Sequence, residues 1–418
     1  APYGFRGWKL PIYSKTNFID FVKLAFDALP NINPFEGQML GTTEACECVV
    51  VLSAKSISVI LNCKIDGTTP ETENLCHYPL YEETMAGYFG KPTLFFSKPA
   101  LTIPLSQITM VFPRRYLHSA TGLEFFTISG IQISLVLHIE DKKVVINHLR
   151  PKYQKKASTG PLYAKQLLMT PASEVAKKWA DGSISSFEYL LYLNYTGNRS
   201  FADFSQYPVF PWIANDYNTT QFPPSLRDFS KPLGQLSPER REQYNNMFIE
   251  TGRSYFYGTH YSNPAGVLHY MMRTEPFTLF NVVLHTGFDH RDRLFSSIFE
   301  TWLTCSEQNM TELRELIPQF FSFPLMFVNK LQLQTRSDGT DINNVRLPPW
   351  APTNTTFINR HRQLLESKML AKLLPLWIDL IFGYKQRGQP AVEAKNLFLP
   401  ISYDYPGAKN DFVRSNAQ

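Results

Sequence analysis

Three histidines and a carboxylate, His260, His285, Asp289 and His290, are of types that bind zinc or iron. Their spacing argues against a metal site: His285 and His290 are five residues apart and off a common helical face, and neither H-E-x-x-H nor a facial-triad pattern occurs. Ser262 with His260 and Asp289 offers the residue types of a hydrolase. A G-x-S-x-G elbow after a strand, which would expose such a serine, is missing. Phosphate-cradling loops of the G-x-G-x-x-G or G-x-x-x-x-G-K kind are also absent, so nucleotide chemistry has no support. The residues therefore predict no catalytic group, no cofactor and no metal, with Ser262 and His260 satisfying buried backbone instead.

A second constellation is charge inside aromatic sequence: Arg227, Asp228 and Lys231; Arg273 and Glu275; Asp289, Asp292 and Arg293; Asp379, Lys385 and Arg387. Burying such groups is costly unless they are paired, which predicts internal ion pairs rather than ligand contacts. Nearby, QYPVFPW (206–212) and LPPWA (347–351) cannot be helical, because each proline lacks an N–H and holds its predecessor extended. Buried extended backbone outside a sheet needs side-chain partners, a structural task for the adjacent Asn, Gln, Arg and Tyr residues.

The elements that must carry these residues follow from periodicity. A helical pattern in Phe18, Phe21, Val22, Leu24, Ala25 and Leu29 ends at Pro30. From residue 45 the period becomes two, giving strands over 46–53, 56–62, 92–96, 108–112, 124–128 and 131–138, then a short helix over 142–149. This reads as a small antiparallel sandwich or barrel capped by a helix. The basic segment 150–158 reads as a linker, and helices are expected over 174–179, 185–193, 292–304, 359–372 and 373–382.

With 418 residues, 44% hydrophobic and 18% charged, the chain is globular and has two to three domains. A net charge of +5 spread along it does not indicate nucleic acid. Five cysteines without zinc-knuckle spacing fit a reduced, cytoplasmic chain, although N-x-S/T triplets at Asn194, Asn198, Asn218, Asn309 and Asn354 leave secretion open. The longest apolar stretch, 369–384, is broken by Lys372, Pro375 and Asp379 and is too short to span a bilayer. Residue 1 is Ala and no targeting segment follows, which fits a piece of a longer protein.

Eight segments taken in order, WADGSISSFEYLLYLN (179–194), QYPVFPW, LRDFSKPLG (226–234), YGTHYSN (257–263), FDHRDRLF (288–295), ELIPQFF (315–321), LPPWA and WIDLIFGYKQRG (377–388), resemble the BEACH domain. PRRYLHSATGLEFF (113–126) resembles the PH-like domain that precedes BEACH in that family. Ser185-Ser186 and Thr286-Gly287 depart from the residues more usual there, which bears on loop detail only. No propeller repeat is present. The resemblance implies an α+β chain of two domains: an N-terminal helical segment (1–39), a PH-like antiparallel β-sandwich or barrel with a capping helix (40–150), a linker (151–164), a mainly helical BEACH domain with buried extended segments (165–404) and a tail (405–418).

It further implies a non-enzymatic cytoplasmic scaffold of a very large protein, acting in vesicle trafficking, lysosome or granule size control, autophagy or receptor sorting. Peripheral association with endosomal, lysosomal or vesicle membranes is left open, and a phosphoinositide-binding module and the Ser262/His260/Asp289 hydrolase are the alternatives. The loop 63–74 sets Lys64 against Asp66, Glu71 and Glu73, which disfavours headgroup binding there. The PH-like and BEACH domains are expected to bind each other and to hold a partner peptide in a groove. Its walls would be Arg114, Arg115, Tyr116 and Leu117 on one side and Tyr207, Pro208, Phe210, Trp212, Arg227 and Lys231 on the other, aromatics and cations being the usual hot-spot composition.

Overall fold

The computed structural model describes residues 31–40, 45–61, 100–116, 119–128, 132–154, 172–275, 277–285, 288–331 and 335–403, with positions 23, 27–29 and 333. Most of the expected N-terminal helix, the strand expected over 92–96, the loop 63–74, Leu117 and the tail lie outside them. The chain divides into two compact units, residues 1–172 and 173–418.

Unit 1 is a seven-stranded antiparallel sheet, ordered β4-β3-β2-β1-β7-β6-β5. Its strands are β1 (Phe35–Leu40), β2 (Ala45–Leu52), β3 (Ser56–Leu61), β4 (Ala100–Pro104), β5 (Ile108–Tyr116), β6 (Ser119–Thr127) and β7 (Gln132–Leu137). The β-branched runs of β2 and β3 pair in register, Val50 with Val59 and Leu52 with Ile57. β4 and β5 are the two edges, yet only the 3₁₀ turn Leu105–Gln107 joins them. Three residues reach about 10 Å, whereas the edges of a flat seven-stranded sheet would lie about 29 Å apart. The sheet must therefore curl. Its concave face is filled by Val50, Ile57, Ile103, Val111, Phe125 and Leu135, onto which α1 (Ile139–Gln154) packs Val145 and Leu149.

Three details depart from the sequence expectation, the first being β4, which occupies Ala100–Pro104 where no strand was expected. β1 lies at the end of the N-terminal segment 1–39, beyond the helical pattern that stops at Pro30, and its FEGQML alternation is too short and glycine-broken to stand out. α1 continues through Pro151 into the segment read as linker.

Unit 2 combines helices with long irregular stretches. The helices are α2 (Ala172–Ala180), α3 (Ser186–Thr196), α4 (Pro238–Glu250), α5 (Pro264–Met271), α6 (Phe277–His285), α7 (Ile298–Leu303), α8 (Asn354–Leu365), α9 (Lys368–Ile381) and α10 (Gly388–Glu393). α3 starts with a capping box, the Ser185 hydroxyl accepting from Glu188 N and the Glu188 carboxylate accepting from Ser185 N. The break between α8 and α9 falls at Glu366-Ser367 rather than after Lys372, because the Ser367 hydroxyl accepts from Leu370 N and caps α9. No helix among the described residues is long and apolar enough to cross a membrane.

Candidate functional site

The interior of unit 2 is organised by polar side chains that hold extended backbone in place of a sheet. Asn194, fully buried on α3, donates to the carbonyls of Leu190 and Val209 and accepts from Val209 N, fixing the middle of QYPVFPW. A glycan on this asparagine is incompatible with that burial. Arg199 Nη1 donates to Tyr207 O and to Ser262 Oγ, both at 2.9 Å. Arg240 reaches Cys305 O and Glu312 O, and Arg273 reaches Phe295 O and Asn343 O. These buried guanidiniums meet backbone carbonyls, so each satisfies acceptors that a regular element would pair itself.

The centre of this arrangement is Glu315. Its Oε1 accepts from Arg227 Nη2 at 2.8 Å and Trp377 Nε1 at 3.1 Å, and its Oε2 accepts from Arg227 Nη1 and Trp212 N, both at 3.1 Å. Arg227 and Glu315 side chains are 0% and 3% exposed, so this bidentate pair is fully inside. The carboxylate receives four donors and has no lone pair left for a ligand. A small pocket adjoins it, lined among others by Gly234, Tyr257, Tyr261, Trp377 and Phe398. Gly234 is required there, since a Cβ would sit 2.3 Å from the Tyr257 ring. Burial pushes the hydroxyls of Tyr257 and Tyr261 above the ordinary tyrosine range and the Cys305 thiol up to about 12. All three groups are protonated at neutral pH.

The hydrolase residues do not form a relay. Ser262 Oγ is held by Arg199, and His260 Nδ1 accepts from the backbone N of Ser262 at 3.1 Å. Burial, reinforced by the Arg199 charge, lowers the His260 imidazole to about 3. Asp289 pairs with Arg293 at 3.0 Å. No cluster of three metal-binding side chains occurs among the described residues.

Of the expected groove residues, Tyr207, Pro208, Phe210, Trp212 and Arg227 are buried in unit 2. Their aromatic faces are used in packing: Trp212 lies against Trp302 and Tyr217, and Phe210 against Phe187 and Phe321. Lys231 is 41% exposed and pairs with Asp228 at 2.7 Å. In unit 1, Arg114 is buried on Glu124 at 2.6 Å, and Arg115 and Tyr116 are half-buried. Sequence reasoning anticipated internal pairing of Arg227 but not its partner. Glu315, Asn194, Arg199 and Arg240 were all missed as framework residues, because their partners are set by tertiary contact and nothing in the neighbouring sequence marks them.

The family model described as Beige/BEACH domain matches residues 177–417, more than half of the chain. A putative neurobeachin homolog of Caenorhabditis elegans is 41% identical over 317 residues, covering 72% of this chain and 13% of that protein. Its counterpart in Caenorhabditis briggsae is 40% identical over 317 residues, 72% of this chain and 12% of that protein. Protein SPIRRIG of Arabidopsis thaliana is 36% identical over 324 residues, 72% of this chain and 9% of its own length. The chain thus spans about a tenth of the length of these relatives. The match lies on unit 2, where the stapled extended segments are found, and on this ground the chain belongs to the BEACH-domain family.

Proposed function

We propose that this chain is the PH-like plus BEACH module of a much larger protein and acts as a non-enzymatic scaffold that recruits protein partners in membrane trafficking. The observation that carries the reading is the coupling of a BEACH match with an interior whose polar groups are occupied in holding backbone. In such an interior the Glu315 carboxylate and, among the described residues, the polar groups bonded to it are committed to holding structure. The curled antiparallel sheet with α1 packed on it supports the PH-like reading of unit 1. Vesicle, lysosome or granule and autophagy-related processes, in the cytoplasm at membrane surfaces, are the setting proposed for the whole protein.

Partner binding is proposed to draw on the residues of the expected groove that retain surface, Arg115, Tyr116 and Lys231, with a peptide segment as the partner. Proximity labelling with the full 418-residue chain, compared with Lys231→Glu and Tyr116→Ala variants, tests it. A partner set reduced by both substitutions is expected. An unchanged set would remove these residues from the reading, and enrichment of no partner by the unmutated chain would overturn the scaffold itself. Sedimentation with phosphoinositide liposomes separates the lipid alternative, for which tight headgroup-selective binding would be required.

A further inference from the structure

His361, on α8, is 0% exposed and lies between two rings, with Phe321 stacked at 4.3 Å and Phe357 at 4.9 Å. Its Nδ1 is 3.1 Å from Phe320 O, and its Nε2 is 3.2 Å from Tyr217 Oη. A carbonyl only accepts, so Nδ1 carries the proton and Nε2 must accept from the Tyr217 hydroxyl. Tyr217 Oη in turn receives the backbone N–H groups of Ile213 and Ala214, at 3.1 and 3.3 Å. The hydroxyl therefore donates once and accepts twice, which fills its capacity.

This saturated chain leaves no place for a second proton on the ring. A protonated Nε2 would present its N–H to an oxygen that already holds two donors, and Tyr217 would lose its acceptor. Among the described residues no carboxylate is hydrogen-bonded to the imidazole. Behind Tyr217 stands the Arg227–Glu315 pair, whose charges cancel. On α8 itself, Arg360 lies over the Phe222 ring and Arg362 takes up the Glu366 carboxylate, so that carboxylate offers the ring no counter-charge.

We propose that His361 is an acid-operated latch: uptake of a proton at Nε2 breaks its contact with Tyr217 and releases the extended segment Phe210–Tyr217 from α8. Burial lowers the imidazole from its ordinary range to about 4, which agrees with the hydrogen-bond argument. Because the folded value lies below the unfolded one, the latch is fully closed above pH about 6.5 and loosens as pH falls toward 4. Opening should increase by up to tenfold per pH unit, approaching a limit of about 300-fold only once the pH falls well below 4.

Hydrogen exchange of the Ile213 and Ala214 amides in the full chain, measured from pH 7 to 4.5 and corrected for intrinsic exchange, reads the latch directly. Loss of protection with falling pH is expected in the native protein, with a shallower slope in His361→Asn. Equal slopes in the two would overturn the proposal. If His361→Asn does not fold, histidine C2-hydrogen exchange in the unmutated chain decides: a midpoint near 4 for His361 supports the latch, and one near 6.5 overturns it.

Discussion

At the scale of single residues, Glu315 shows how a charge can be structural. Four donors converge on it, and two of them belong to the Arg227 guanidinium, which has no other counter-ion among the hydrogen bonds described. Removing one member of such a pair strands the other in a dry interior. Glu315→Ala is therefore expected to cost about 3–5 kcal/mol, whereas Arg227→Met with Glu315→Leu should recover most of the loss. Urea denaturation of the three chains checks this, and a double variant no more stable than Glu315→Ala would show that Trp212 and Trp377 depend on the carboxylate more than Arg227 does. Trp350 makes a different case. It is 2% exposed and stacks on Phe357 at 5.4 Å, so Trp350→Ala should lose about 3–5 kcal/mol, visible as a lower melting temperature.

At the scale of elements, helix ends and irregular segments rely on remote side chains. The Glu366 carboxylate, at the C-terminus of α8, accepts from Ser186 N at 2.6 Å and Phe187 N at 3.2 Å, so one residue closes α8 and caps α3. Glu366→Ala should cost about 1 kcal/mol, the usual worth of a cap, and Glu366→Gln less than that; a neutral Glu366→Ala melting curve would refute the coupling. Such long-range capping explains what could be read in the sequence. Strands with alternating apolar residues, such as SISVIL in β3, and amphipathic helices such as α9 are visible because their period reports a buried face. α5 and α6 were not visible, since their sequences PAGVLHYM and FTLFNVVLH are apolar on nearly every side and show no contrast between faces, even though Leu284 and His285 are exposed. α4 failed for the opposite reason, its PERREQYNN run being polar on most sides. The extended character of QYPVFPW was plain from its prolines, but its partners Asn194 and Arg199 are set by tertiary contact and leave no local pattern.

At the scale of the whole molecule, the two units are built by different rules. Unit 1 satisfies its backbone mainly through strand ladders, and unit 2 does so in large part through side chains. Each contains buried cysteines, Cys46 and Cys48 in the sheet and Cys305 in unit 2. Neither set should react with a thiol reagent in the native chain, and mapping labelled cysteines along a denaturant series should report the opening of each unit separately. Labelling of Cys305 before any loss of structure would contradict its burial and its thiol, held up at about 12.

The side-chain staples have a consequence for how the protein tolerates change. A ladder of backbone hydrogen bonds survives most substitutions, since the groups that form it are common to every amino acid except proline. A segment held by Asn194, Arg199 or Arg240 has no such insurance, because the bonding group disappears with the residue. In a saturation mutagenesis scan, β2 and β3 should accept most apolar exchanges at their buried positions, while Asn194 should accept almost none, Asp and Gln included. Polar positions of unit 2 would then rank among its least replaceable, reversing the usual order in which the apolar core is the most constrained.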